Sequence, residues 1–138
     1  MHKFMIKVIL VIFITILAYN NSYSQSAEEL YSKGNYFIKM GQMDSAMTSF
    51  NDALVKDSTH YKSYHGRGIV KLATKKYSEA LKDFNNCIRL KFNYADAFFA
   101  RGVTYLAMNQ NKKACTDFEE AMNYGLNEAK DMLRQYCQ

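Results

Sequence analysis

The stretch YKSYHGRGIVKLATKKYSEALKDFNNCIRLKFNY, residues 61–94, contains a set of residues that recurs on both sides of it. Within it, Gly68 is followed by Ala80 and then, about one helical turn later, by Phe84. The same set stands at equal spacing before and after: Gly34, Ala46 and Phe50, and Gly102, Ala114 and Phe118. We call this constant spacing, from Gly34 to Gly68 and from Gly68 to Gly102, the repeat period. An internal period of this length predicts an array of stacked units rather than one mixed core.

Each unit is predicted to contain two helices, because its apolar residues recur at intervals of three and four. Alternation with a period of two is absent from the sequence, so we expect no strands. We expect first helices at 27–40, 61–73 and 95–108, and second helices at 44–56, 77–90 and 111–124.

The recurring glycine lies inside each first helix, where it costs about 1 kcal/mol relative to alanine. A close helix crossing would offset this cost, because the glycine and the recurring alanine let two backbones approach each other. The recurring phenylalanine would then fill the space between one unit and the next. Glycine, alanine and phenylalanine are therefore interpreted as one packing arrangement present three times.

The pattern resembles the tetratricopeptide repeat family, in particular its small exported bacterial members. Lys71 departs from an aromatic position of that family, and its closing proline is missing from all three units. The resemblance rests on the glycine, alanine and phenylalanine set and on the aromatic positions Leu30, Tyr64, Phe98, Phe37 and Tyr105. It implies an all-α fold, an α-solenoid of three helix-turn-helix repeats at 27–60, 61–94 and 95–128.

A seventh helix is expected near 127–137, within a capping segment 127–138. Ala129, Met132 and Leu133 share one face, and charged residues occupy the other. A half-polar terminal helix of this kind closes the apolar end of a stack. The first helix lacks a matching cap, so it either contacts something else or is polar enough to end the stack itself.

The N-terminal residues 1–24 are typical of a secretory signal peptide. Lys3 and Lys7 precede an apolar run at 8–19, and small residues end the segment at Ser22 and Ser24. We expect cleavage after Ser24, which leaves 25–26 as a short lead and a periplasmic or secreted protein. The alternative is an uncleaved membrane anchor, although the run is shorter than the usual spanning helix.

The formal net charge of +5 falls to +3 if residues 1–24 are removed, because they hold two lysines and no acid. The remaining basic residues are interleaved with Glu and Asp, which indicates a solvated surface. We therefore expect no nucleic-acid partner and no membrane span after cleavage.

Three cysteines in an exported chain leave one unpaired. Cys87 occupies a small buried position that Ala53 and Ala121 hold in the other units. Cys115 and Cys137 flank the turn near residue 125 at similar distances, so two antiparallel helices would bring them together. We predict a disulfide between them, the alternative being two reduced core cysteines.

The sequence offers no reaction centre. His60 and His65 lack further ligands at zinc-like spacing, and His65 is interpreted as either a groove contact or a solvated histidine. The stretch Gly66-Arg67-Gly68 lacks the later glycine and the preceding strand of a phosphate loop. We therefore expect no enzyme activity, metal or cofactor.

The resemblance implies that the first helices line a concave groove. It is expected to be polar at its N-terminal end and apolar toward the third unit, unless the apolar residues are half-buried packing positions. The implied groove residues are Glu28, Tyr31, Asn35, Lys39, Lys62, His65, Ile69, Leu72, Asp96, Phe99, Val103 and Leu106.

Such a groove suits a peptide or helix with an apolar anchor. Some family members grip the C-terminal carboxylates of chaperones with Lys, Asn and Arg. Only Asn35 fits that set, and Tyr31, Asp96 and Ala100 stand where cations are required, so we do not expect that ligand.

Two functions of different class are consistent with these features. The favoured one is an exported scaffold or adaptor that binds an unidentified protein. The alternative is a structural accessory subunit of an envelope assembly, or a homo-oligomer that stacks through the first repeat.

Overall fold

The computed structural model describes residues 5–7, 9, 11–12 and 25–137. Most of the predicted signal peptide and its cleavage site lie outside these residues. The apolar side chains described there, such as Ile9 and Val11, are exposed. Among the described residues, no helix has both the length and the apolar character needed to cross a membrane.

Residues 25–137 form seven helices and contain no strand. Successive helices pair as antiparallel hairpins, so the all-α solenoid of three repeats with a C-terminal helix is confirmed. The helices are α1 (Ala27–Lys39), α2 (Met43–Lys56), α3 (Tyr61–Ala73), α4 (Tyr77–Leu90), α5 (Ala95–Ala107), α6 (Asn111–Asn123) and α7 (Ala129–Tyr136).

The predicted helix ends agree with the observed ones to within two residues, and those of α3 and α4 agree at both ends. The largest difference is at α7, which begins at Ala129 because residues 127–128 belong to the preceding turn. At the start of α1, the Ser26 hydroxyl accepts from the Glu29 N–H, and the Glu29 carboxylate accepts from the Ser26 N–H. This capping box satisfies two N–H groups that a helix start leaves unpaired.

The turns inside the three repeats are built alike. Each turn contains one residue with a positive φ: 72° at Gly41, 61° at Lys75 and 58° at Asn109. These three residues follow one another by one repeat period. In the second repeat the Lys76 N–H then donates to the Lys71 carbonyl at 2.8 Å. This is the Schellman ending of a helix, in which a left-handed residue lets the chain reverse.

Phe50, Phe84 and Phe118 are fully buried and fill the centre of their repeats. A Cβ atom on Gly34 would lie 2.5 Å from the Phe50 ring, and one on Gly68 would lie 2.6 Å from the Phe84 ring. The glycines thus provide the space that these rings occupy.

Gly66 has a packing role that the sequence interpretation missed. A Cβ atom on Gly66 would lie 2.6 Å from the ring of Phe50, which belongs to the preceding repeat. Ala100 stands at the same place in the third repeat and packs in one cluster with Phe84. Each of these two rings therefore fits between a glycine of its own repeat and a small residue of the next.

A polar network connects neighbouring helices with the same repeat period. Arg67 donates to both carboxylate oxygens of Asp83 at 2.9 and 2.7 Å, and to the side-chain oxygen of Asn51 at 2.8 Å. In the third repeat, Arg101 makes the equivalent bonds to Asp117 and Asn85. Each arginine therefore links its own repeat to the one before.

Helix α7 covers the end of the third repeat. Ala129 is fully buried, and Met132 and Leu133 pack against the cluster that contains Phe118 and Ala121. A disulfide joins Cys115 of α6 to Cys137, just beyond α7, across a Cα–Cα distance of 5.7 Å. Helix α7 is thus attached to α6 covalently as well as by packing.

The stack is curved with its first helices on the inside. Helices α1, α3 and α5 contact one another in succession, whereas the second helices pack mainly on the first helices beside them. The three first helices therefore form the inner layer, whose free side is the concave groove.

Candidate functional site

The middle of the groove is formed by one ring from each first helix. Tyr31, His65 and Phe99 occupy the fifth position of their repeats and follow one another by one repeat period. Each lies on the buried phenylalanine of its own repeat, with ring centroids 6.0, 6.0 and 5.6 Å apart. The core therefore holds these rings in place, so the groove surface is formed before any partner arrives.

His65 is not the solvated histidine that the sequence analysis considered. Its ring also meets Tyr94 edge-on, with centroids 5.3 Å apart, and its Nε2 is buried with no hydrogen-bond partner among the described residues. Burial lowers the pKa of His65, an effect that the charge and backbone of Asp96 oppose. The imidazole is therefore neutral and forms part of the packed groove surface.

Aliphatic residues continue the groove beside the rings. Ile69 and Leu72 of α3 pack against the cluster of Ala80, Phe84 and Ala100. Val103 and Leu106 of α5 pack against the cluster around Phe118. All four are half-buried, so they support the core and also present part of their apolar surface to the groove.

The first helix differs from the other two in the groove residues it carries. Asn35 holds the place of Ile69 and Val103, and Lys39 lies in the last turn of α1. The groove is therefore polar near the first repeat and apolar at α3 and α5.

One side of the groove carries charges that alternate in sign. Glu28, Lys62, Asp96 and Lys130 stand at the second position of successive units, each one repeat period after the last. The Lys62 Nζ lies 3.1 Å from a Glu28 carboxylate oxygen, and the His60 Nε2 lies 2.9 Å from the other. Hydrogen bonds from His60 and Lys62 lower the pKa of Glu28, so this carboxylate stays ionised.

The turns between repeats also contribute rings to the groove, a contribution that was not predicted from the sequence. The rings of His60 and Tyr31 lie 5.6 Å apart, and those of Tyr94 and His65 lie 5.3 Å apart. His60 and Tyr94 are themselves separated by one repeat period, and this spacing was a signal that could have identified them.

Neither the free cysteine nor a metal-binding cluster provides a reaction centre among the described residues. Cys87 is buried, and burial raises the pKa of its thiol to about 12, so it stays protonated. No group of three or more His, Cys, Asp or Glu side chains in the described part of the chain could hold a metal ion. What the groove provides is a preformed, largely apolar surface for noncovalent binding.

Two solved structures with some sequence similarity share this fold. The first repeat domain of Spaghetti (RPAP3), bound to the HSP90 peptide SRMEEVD, is 28% identical with a TM-score of 0.78, over 83% of this chain and 93% of that one. The second repeat domain of human RPAP3, in complex with the HSP70 peptide SGPTIEEVD, is 26% identical with a TM-score of 0.74, over 81% and 95%.

A more distant structure is that of YrrB, described as a protein with an unusual peptide-binding site. It is 20% identical with a TM-score of 0.73, over 83% of this chain and 60% of that one, and agrees in fold only. No curated protein sequence matches the chain significantly. The sequence profile of the tetratricopeptide repeat matches residues 27–54, 61–94 and 95–124. These matches cover all three helix pairs, and the chain belongs to the tetratricopeptide repeat family.

Proposed function

We propose that the protein is an exported, non-catalytic adaptor that holds a protein partner in its concave groove. The observation that carries this proposal is the row of Tyr31, His65 and Phe99, each supported by a buried core ring. A preformed surface loses little side-chain entropy when it binds, which favours recognition. Similar repeat domains bind peptides, which supports a role in protein interaction.

Crosslinking in the cells that make the protein tests the groove. In one version of the protein, a photoreactive amino acid replaces Phe99 in the groove. In the other version it replaces Val55, which is 84% exposed on the second helix α2. We expect a distinct partner band from position 99 that is absent from position 55. The double change Ile69→Asp and Val103→Asp should abolish the band, and a band that survives it would rule out the groove.

Export is supported by the sequence of residues 1–24 and by the disulfide, since disulfides persist in oxidising compartments. Mass spectrometry of the protein from fractionated cells checks it. We expect an N-terminus at Gln25 in the periplasmic or secreted fraction. A chain that retains residues 1–24 in the membrane fraction would favour the anchored alternative.

The alternative role as a structural accessory is favoured by the outer face of the first repeat. Tyr36 is 59% exposed, whereas Val70 and Thr104 at the same place in later repeats are 1% and 0% exposed because a preceding repeat covers them. Sedimentation over a range of concentrations separates the two roles. Self-association that Tyr36→Glu abolishes would favour the accessory, and a strict monomer would favour the adaptor.

A further inference from the structure

The second helix of the first repeat carries a row of residues that receives the following repeat. On α2 this row consists of Met43, Met47 and Asn51, which lie on one side of the helix at intervals of four. Met43 and Met47 pack against the cluster that contains Val70 of α3. The Asn51 side-chain oxygen accepts a hydrogen bond from Arg67, also of α3, at 2.8 Å. We call the residues at these places the docking row of a second helix.

The third repeat has a docking row as well, on α6. Asn111, Cys115 and Glu119 hold its places, two repeat periods after those of α2. They line a surface cleft together with Tyr136 and Cys137 of the C-terminal segment. The disulfide from Cys115 to Cys137 therefore lies on the row itself, while Glu119 stays exposed. The attached α7 thus blocks the place where a further first helix would dock.

The outer side of α1 offers the matching surface. Ser32, Lys33 and Tyr36 stand at the places by which α3 meets α2, one repeat period earlier. All three are exposed, and Tyr36 is 59% exposed where Val70 of α3 is 1% exposed. In the described part of the chain, no second helix covers this side of α1. The docking row of another molecule would therefore fit here.

The charges of the two surfaces are opposite. Lys33 stands at the place of Arg67 and carries the same positive charge. Glu119 stands at the place of Asn51 and adds a carboxylate. Between two copies, the hydrogen bond of the internal junction would therefore become an ion pair. Glu29 departs from the pattern, because its place is fully buried in the later repeats, so this junction would be weaker than an internal one.

The sizes of the side chains also match. On α1, the large Tyr36 stands at the place of Val70. On α6, the small Cys115 stands at the place of Met47. A large residue would thus meet a small one, which approximately conserves the combined volume of the internal pair. The outer side of α1 is therefore complementary to the docking row that the third repeat of the same chain carries.

We propose that α1 of a second copy docks on the row of α6, and that the disulfide prevents this by holding α7 in place. The reductant would be the dithiol of a thiol–disulfide oxidoreductase. It loses two electrons and two protons as its own disulfide forms, and these convert the Cys115–Cys137 bond into two thiols. Helix α7 has eight residues and one fully buried side chain, Ala129, and so short a helix is marginal without the bond. Reduced copies would then stack head to tail.

Sedimentation over a range of concentrations tests this inference on the purified protein. We expect the oxidised protein to remain a monomer, and both the reduced wild type and Cys137→Ser to associate as their concentration rises. Circular dichroism before each run checks that the repeats are folded, and reoxidation of the wild type should restore the monomer. Reduced protein that stays monomeric or unfolds would overturn the inference, as would equal association of the oxidised protein.

Charge reversal identifies the surfaces. In the Cys137→Ser background, Lys33→Glu or Glu119→Lys should each weaken association by about tenfold, because like charges then meet at the junction. An equimolar mixture of the two variants should associate as the parent does, since every mixed junction pairs opposite charges. Lys39→Glu, on the groove side of α1, makes the same change in charge and should have no effect. Association indifferent to both variants would overturn the docking row.

Thiol trapping locates the contact directly. Cys137→Ser leaves Cys115 free, and the added change Tyr36→Cys should give a dimer linked between positions 36 and 115, because a bridge requires Cα atoms within about 7 Å. Lys39→Cys is the control and should not be trapped, and mass spectrometry of the linked peptides identifies the positions. Equal trapping at both positions, or none at position 36, would contradict the stacking.

This assembly extends the structural accessory role and does not involve the groove. Its failure would leave the adaptor role intact, because crosslinking from Phe99 tests that role in the oxidised protein. Failure of the crosslink at Phe99 would in turn leave the stacking of reduced copies unaffected.

Discussion

At the scale of single residues, the turns inside the three repeats require the same backbone conformation from three different types of residue. Positive φ is easy for glycine, tolerated by asparagine and unfavourable for other residues. Gly41 and Asn109 meet this demand, whereas Lys75 adopts a φ of 61° with a full side chain. The second repeat thus contains a strained position that the first and third do not.

Lys75→Gly should therefore stabilise the protein. The expected gain in the free energy of unfolding is about 0.5–1 kcal/mol, because the left-handed strain is removed while the chain loses some entropy on folding. Urea denaturation followed by circular dichroism measures it. Asn109→Gly serves as the control with a smaller gain, and equal effects at both positions would contradict the argument.

His65 makes stability depend on pH in a defined direction. Burial lowers its pKa below 6.5, so the unfolded chain binds a proton near pH 6.5 while the folded chain does not. The contribution of His65 to the free energy of unfolding should be constant above about pH 7.5 and should fall below pH 6.5, by at most about 1.4 kcal/mol per pH unit.

The variant His65→Phe isolates this effect, since Phe99 occupies the same place in the third repeat. His60 is present in both proteins, so its contribution cancels in the comparison. Urea titrations between pH 7.5 and 5.5 should show a smaller slope for the variant. Parallel curves for the two proteins would mean that His65 takes up its proton as easily in the folded chain as in the unfolded one.

At the scale of helices, the arginine network joins the two helices of one repeat through nearly buried carboxylates. Asp83 and Asp117 are 2% and 3% exposed, so removal of their cation would leave a buried charge. The two sites differ in one respect. The Lys71 Nζ lies 2.8 Å from Asp83, whereas Tyr105 stands at the place of Lys71 in the third repeat.

Arg101→Met should therefore destabilise the protein more than Arg67→Met. Loss of one partner of a buried pair costs about 3–5 kcal/mol, and we expect Arg101→Met to approach that range and Arg67→Met to remain below it because Lys71 persists. Thermal unfolding measures both. The double change Arg101→Met and Asp117→Leu should recover much of the loss, and an equal loss in both single variants would show that Lys71 does not compensate.

The sequence predicted the fold because the decisive residues are close together within a repeat. Gly68, Ala80 and Phe84 recur with constant spacing, and the helix pair follows from them. The pairing of Arg67 with Asp83 recurs in the same way, at Arg101 and Asp117, but charged residues were interpreted as solvated. That signal was available and was not used.

The environment of His65 could not be predicted in the same way. Its burial depends on Tyr94, which follows α4 and packs back on α3. Contacts of this kind depend on how the turn between repeats is folded, and periodicity within one helix does not contain that information. The half-buried state of Ile69 and Leu106, by contrast, was one of the two alternatives that the sequence left open.

At the scale of the whole molecule, the disulfide fixes the C-terminal end of the stack. Removing the link with Cys137→Ser should lower the free energy of unfolding by about 3 kcal/mol, because it frees the unfolded chain between Cys115 and Cys137. Denaturation of the wild type with and without reductant should give the same difference. The control is Cys87→Ala, which removes the reduced cysteine and should not change the sensitivity to reductant.

Hydrogen exchange identifies where the loss occurs. We expect α7 to lose protection first when the bond is removed, with α1 and α2 unaffected, because α7 packs on the cluster that α5 and α6 form. Uniform loss of protection along the chain would instead indicate that the repeats unfold as one cooperative unit.

The arginine network has a consequence for how such a protein can change in length. Each arginine reaches one residue in its own repeat and one in the repeat before, always 16 positions away. A tandem duplication of residues 61–94 would give each new repeat its own ion pair. It would also give each new junction an arginine–asparagine hydrogen bond and a small residue beneath a ring. Gene duplication can therefore lengthen the molecule from within, while its two specialised termini remain as they are.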